Sequence, residues 1–130
     1  MNDNAKLWAR ELKSGKWKQT KNVLHNVDED SYCCLGVACK LAIDAGVQLI
    51  EEQELDNMDG ITMSFYNGKG LDLPQPVQEW LGLCSEVGNI KPAKNEPLFK
   101  ATLAYKNDNG SSFEEIANLI ESEPEGLFCK

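Results

Sequence analysis

The stretch that most constrains this chain is Asp30-Ser31-Tyr32-Cys33-Cys34-Leu35-Gly36-Val37-Ala38-Cys39. Two adjacent thiols stand where a short extended segment turns into an apolar helix. Leu35, Val37, Ala38, Leu41, Ala42 and Ala45 then cover so much of the helical surface that residues 35–45 predict a central, nearly buried helix. Gly46 ends it. A helix that apolar needs walls on most sides, and the flanking sequence has to supply them.

Upstream, residues 2–14 predict an amphipathic helix, capped by Asn2 or Asp3, with Leu7, Trp8 and Leu12 at helical spacing. Residues 16–27 read as one extended segment, and a turn at Asp28-Glu29-Asp30 returns a short antiparallel strand through Ser31, Tyr32 and Cys33. Downstream, residues 47–50 and the alternating run 61–66 read as strands joined by a ragged acidic loop over 51–59. A short helix with prolines in its first turn follows within Leu73 to Leu83, then a loop over 84–97, and a helix through Leu98, Ala101, Leu103 and Ala104. Ser112-Phe113-Glu114-Glu115 is a capping box that opens a last helix, 113–121. The expectation is a single α+β domain over 1–130, a small antiparallel sheet packed with about four to five helices.

Composition excludes several functions. The net charge of −8 opposes direct nucleic-acid binding, and Lys13, Lys16, Lys18 and Lys21 read as a solvated face. No stretch approaches the ~18 apolar residues of a membrane span, and the charged first turn is unlike a secretion signal. Five cysteines, an odd number, lead us to expect reduced thiols in a cytoplasmic protein. No metal site is expected, because Cys33, Cys34 and Cys39 lack knuckle spacing and Cys84 and Cys129 stand alone. No cofactor motif is present either: Gly68-Lys69-Gly70 has neither phosphate-loop spacing nor a following hydroxyl.

Two constellations carry chemistry. The first is Cys33 or Cys34 at a helix N-terminus, where the dipole lowers a thiol pKa, with His25 as base and Asp30 behind it if the intervening turn is tight. The plainer alternative makes these cysteines small core hydrophobes. The second is a binding surface of Trp17 and Gln19 with Asn107, Asp108 and Ser112, an aromatic and polar groups before a helix N-terminus, suited to a small anionic, nucleotide-like ligand. Its plainer alternative is a turn plus a cap. The acidic residues 51–59 offer a third surface, one that fills a groove on a protein partner.

Several stretches resemble a family of small uncharacterised proteins of tailed phages and prophages. They are Trp17-Lys18-Gln19, the Y-C-C-L-G-V core of residues 32–37, Leu73-Pro74 with Val77, Trp80-Leu81-Gly82-Leu83, and Asn107-Asp108 with Gly110, Ser112-Phe113 and Ile116-Ala117. The chain departs from that pattern at Ala38 and Lys40, where a leucine and an acidic residue are more usual, and at Tyr105-Lys106. The resemblance implies a phage accessory protein that blunts defence or redirects metabolism in the host cytoplasm. It would bind a host protein or a nucleotide-type signal, or pair with a second copy of itself. A small cysteine-dependent enzyme and a structural phage protein are the alternatives.

Overall fold

The computed structural model describes residues 1–129, and its element order is α1 (Asp3–Lys13), β1 (His25–Asn26), β2 (Ser31–Tyr32), α2 (Cys34–Asp44), β3 (Glu51–Asp56), β4 (Ile61–Tyr66), α3 (Gln75–Leu81), a single 3-10 turn (Leu98–Lys100), α4 (Leu103–Asp108) and α5 (Phe113–Glu121). The four strands form one antiparallel sheet in the order β2-β1-β4-β3. The fold is α+β, with five helices against a small sheet.

Helix α2 is the axis of the core. Eight of its residues are buried, from Cys34 through Ala42 with only Lys40 partly exposed. Each fully buried Leu or Val contributes about 1.5–3 kcal/mol. Helix α1 brings Trp8, fully buried, whose indole Nε1 donates to the Cys34 carbonyl at 2.9 Å. The amphipathic helices α1 and α5 pack side by side, and α3 and α4 close the remaining flanks of α2.

The motif glycine has a steric reason. A Cβ at Gly36 would lie 1.7 Å from the Leu24 carbonyl oxygen, so α2 can approach the segment before β1 only with glycine there. Leu24 O also accepts the Cys33 N–H at 3.2 Å, which fixes where the helix begins.

Helix α1, the β1–β2 return, α2, α3 and the capping box of α5 fall where the sequence places them. Three expectations are corrected. Residues 16–27 are not one strand: only His25–Asn26 pair regularly, because the Leu24 N–H turns to Gly70 O and Gln19 makes only an isolated bridge to Tyr32. The partner of β4 is Glu51–Asp56 rather than 47–50. The acidic stretch is itself a strand, tolerated because it lies at the sheet edge with its side chains in water. The helix expected through Leu98 to Ala104 splits into the 3-10 turn and α4, since Thr102 is an N-cap whose oxygen accepts the Tyr105 N–H.

The five cysteines are not all free. Cys84 and Cys129 form a disulfide, while Cys33, Cys34 and Cys39 remain thiols. The tail pairs with the end of α3: Cys129 N donates to Gly82 O, Cys84 N to Leu127 O, and Leu83 bridges Phe128. That pairing brings together two cysteines 45 positions apart.

Candidate functional site

Of the thiol constellation only the His25–Asp30 pair forms: neither Cys33 nor Cys34 is a hydrogen-bond partner of the histidine. The β1–β2 return is tight, with Asp30 N–H donating to Val27 O and Asp30 itself in the left-handed region, φ 49°. It brings Asp30 Oδ1 to 3.1 Å from His25 Nε2, while His25 Nδ1 lies 2.8 Å from Ser64 Oγ. Both ring nitrogens are thereby engaged, and the ring stacks on Tyr32 with centroids 4.1 Å apart. Cys33 serves instead as the N-cap of α2, its Sγ accepting the Gly36 N–H at 3.4 Å. Burial, reinforced by Asp108, pushes the Cys33 thiol up to about 12 against the lowering by backbone N–H groups. Cys34 and Cys39 are raised well above the usual thiol range, again chiefly by burial. The helix-dipole expectation is therefore corrected: desolvation outweighs the dipole at this N-terminus.

Ser64, His25 and Asp30 look at first like a hydrolase triad. Ser64 is fully buried on β4, however, so no substrate reaches its oxygen. The array is a polar strut tying β4 to the β1–β2 return.

The second constellation assembles in part. Gln19 Nε2 donates to Asn107 Oδ1 and to Ser111 O, both at 2.9 Å. Asn107 Oδ1 also receives the Cys34 N–H at 3.1 Å, and its Nδ2 donates to Thr20 O at 2.8 Å and Asp108 Oδ1 at 3.1 Å. Asp108 Oδ1 accepts the Asn22 N–H at 2.8 Å. Asn107 is 0 % exposed, so its polar capacity is spent inside the protein. Ser112 is used in the same way: its Oγ accepts the Glu115 N–H, and the Glu115 carboxylate accepts the Ser112 N–H and is held below the usual range by it. Gln19, Asn107 and Asp108, expected as part of an exposed surface, are a latch that joins the 19–22 segment, the start of α2 and the end of α4, whereas Ser112 is exposed and caps α5.

Trp17 stays at the surface, half-buried, with its edge toward Tyr32 at 5.1 Å and its Nε1 donating to Glu11 at 3.2 Å. With Lys16, Lys18, Asp30 and Tyr32 it lines a hollow of about 240 Å³. Lys16 pairs with Glu11 and Lys18 with Glu29, which leaves less positive charge for an anion than the sequence implies.

Exposed apolar side chains stand at Ile50, Leu98 and Phe99, and others gather around a hollow at the β3–β4 hairpin. Leu55, Met58 and Leu71 are 60 %, 95 % and 58 % exposed, and with Met63 and Phe65 they line a trough of about 490 Å³ bordered by Glu54 and Asp56. In the hairpin register Glu52 stands opposite Phe65, Glu54 opposite Met63 and Asp56 opposite Ile61, so along one face a carboxylate borders an apolar side chain at every second rung. Among the described residues no cation forms an ion pair with Glu51, Glu52, Glu54, Asp56 or Asp59. The visible signal was an acidic run beside an alternating apolar strand, although periodicity did not show the run to be a strand.

The fold and this surface define a small α+β protein with an acidic edge strand and a packed cysteine-bearing helix. The chain belongs to the family described as a domain of unknown function, DUF8296, whose profile matches residues 1–124. Searches of curated proteins and of solved structures return no match.

Proposed function

We propose that this chain is a phage-type accessory protein that works by binding, occupying a host protein in the host cytoplasm to blunt defence or redirect metabolism. The phage setting rests on the resemblance carried by the Y-C-C-L-G-V core and the Asn107-Asp108 segment. One contrast supports the binding role. The side chains suited to chemistry, His25, Cys33, Cys34 and Asn107, are buried and engaged in internal contacts, while the β3–β4 hairpin exposes apolar side chains beside unpaired carboxylates. Exposed apolar groups rimmed by charge are the usual mark of a protein-interaction surface. No helix among the described residues is long and apolar enough to cross a membrane.

The test is retention from host lysate on immobilised wild-type protein, compared with a Met58→Ser, Leu71→Ser variant of unchanged melting temperature. A host protein held by the wild type and released by the variant supports the reading, and equal retention by both removes it. A nucleotide-like ligand is the second reading, favoured by the hollow beside Trp17 and Tyr32. Quenching of tryptophan fluorescence by cyclic or linear nucleotides, abolished in Trp17→Leu, would support it over the first.

A further inference from the structure

We infer that the β3 edge accepts an added strand from a cationic partner, an extended protein segment in which lysine or arginine alternates with apolar residues. The inference rests on the binding role above and specifies its surface and the chemistry of its partner.

Three observations converge on that occupant. First, β3 lies at the end of the sheet order, paired with β4 alone over six residues, so its outer side has no strand among the described residues. An edge of that length is a template for main-chain hydrogen bonds from another chain. Second, Glu52, Glu54 and Asp56 alternate along β3 and share a face, whereas Glu51, Gln53 and Leu55 share the other. An incoming strand would therefore meet carboxylates on one face and, at Leu55, an exposed apolar side chain on the other. Third, the carboxylate face borders the trough of Met58, Met63, Phe65 and Leu71. Lysine and arginine suit that step, because their aliphatic stems lie along apolar surface while the charged head reaches a carboxylate.

The charge also decides against a second copy of this chain. Pairing β3 with itself would bring Glu51, Glu52, Glu54 and Asp56 from each copy onto one seam with no intervening cation. A strand edge guarded only against aggregation would be charged as well, but it would not leave Leu55, Met58 and Leu71 in water beside it.

The experiment uses the full chain and a short synthetic peptide of alternating lysine and valine. Two control peptides accompany it: the same composition in block order, and the alternating order with alternate backbone nitrogens methylated. We expect the alternating peptide to bind about tenfold more tightly than either control, with binding weakened by salt. Amide exchange should slow within residues 51–56, and Glu52→Gln, Glu54→Gln should reduce affinity by about tenfold without lowering the melting temperature. Equal binding by the block peptide would show charge attraction alone and overturn the inference, as would exchange protection confined to another surface. The outcomes separate from those of the binding role. If the lysate partner is retained equally by wild type and the Glu52→Gln, Glu54→Gln protein, the strand site fails while the binding role stands. If wild type retains no partner, the binding role itself fails.

Discussion

Asn107 Oδ1 accepts the backbone N–H of Cys34 at 3.1 Å, so an amide at the end of α4 holds the first turn of α2 across 73 positions of sequence. The same oxygen takes Gln19 Nε2, and the amide nitrogen reaches Thr20 O. Two N-caps thus act on one helix, the Cys33 sulfur from its own chain neighbourhood and the Asn107 oxygen from a distance. This relationship explains why a fully buried asparagine is tolerated beside the apolar helix α2.

Replacing Asn107 with Ala removes the latch and leaves the buried Cys34 N–H and the part-buried Thr20 C=O without their partner. Each such group costs about 1–3 kcal/mol, so the expected loss is about 3 kcal/mol in urea denaturation. Gln19→Ala should cost less, about 1 kcal/mol, since its amide is partly solvated in the unlatched state. A loss below about 1 kcal/mol for Asn107→Ala would show that these hydrogen bonds are readily replaced and that the latch is incidental.

Gly36→Ala should be more damaging than its single methyl suggests. The added carbon would fall 1.7 Å from Leu24 O, and a carbonyl that also accepts the Cys33 N–H is not free to move aside. We expect little folded protein, or a loss above about 3 kcal/mol where it folds, in line with overpacking against backbone. Gly15→Ala is the control: it meets no atom within 4 Å and carries only the strain of its positive φ. A soluble Gly36→Ala protein with wild-type melting would refute the close approach.

The helices were legible in the sequence because each carries a repeating face: Leu7, Trp8 and Leu12 on α1, the near-continuous apolar surface of α2, and Phe113, Ile116 and Ile120 on α5. The edge strand was not legible. Glu51–Asp56 owes its extended form to β4 beside it, and an exposed edge needs no apolar alternation to be stable. The latch was half legible. Gln19, Asn107, Asp108 and Ser112 were recognised as special polar residues, but their type alone does not say whether a ligand or the backbone consumes their hydrogen bonds. Burial decides that, and burial of Asn107 depends on the packing of α4 against α2. His25 and Asp30 were correctly paired, whereas the third partner is Ser64, from a strand distant in sequence.

The buried acids make stability fall at alkaline pH. Cys33 ionises near 9 when unfolded and is pushed up to about 12 when folded, and burial raises Tyr32 from 10 to about 12. The folded state therefore keeps protons that the unfolded state has lost. For Cys33 the stabilisation is complete below pH about 9 and is lost as pH rises toward 12, by about 1.4 kcal/mol per pH unit, and Tyr32 adds a smaller loss in the same direction above pH about 10. Urea midpoints measured from pH 7 to 11 should decline, with Cys33→Ala flattening the slope between 9 and 11. Rapid alkylation of Cys33 in the native protein at pH 6 would contradict the burial and revive the thiolate reading.

The Cys84–Cys129 bond yields the last prediction. It closes a loop of 45 residues that contains the 3-10 turn, α4 and α5, so cutting it frees the tail while the latch and core remain. Loop-closure entropy for that length corresponds to about 4 kcal/mol of stabilisation, lost on reduction. Two backbone bonds flanking the bridge, Cys129 N to Gly82 O and Cys84 N to Leu127 O, lie in the same ladder and should fray with it. Reduced protein should thus unfold at lower urea while its native fold persists in buffer, because neither bridging cysteine belongs to the core and the neighbouring Leu83 and Leu127 keep their buried contacts. Mass spectrometry of air-purified protein digested without reductant should recover the two cysteines in one linked peptide pair, and Cys33, Cys34 and Cys39 as thiols released only by denaturant. Cys84→Ser should match the reduced wild type in stability. If the linked peptides are absent and Cys84→Ser melts with the oxidised wild type, the tail is held by backbone pairing alone.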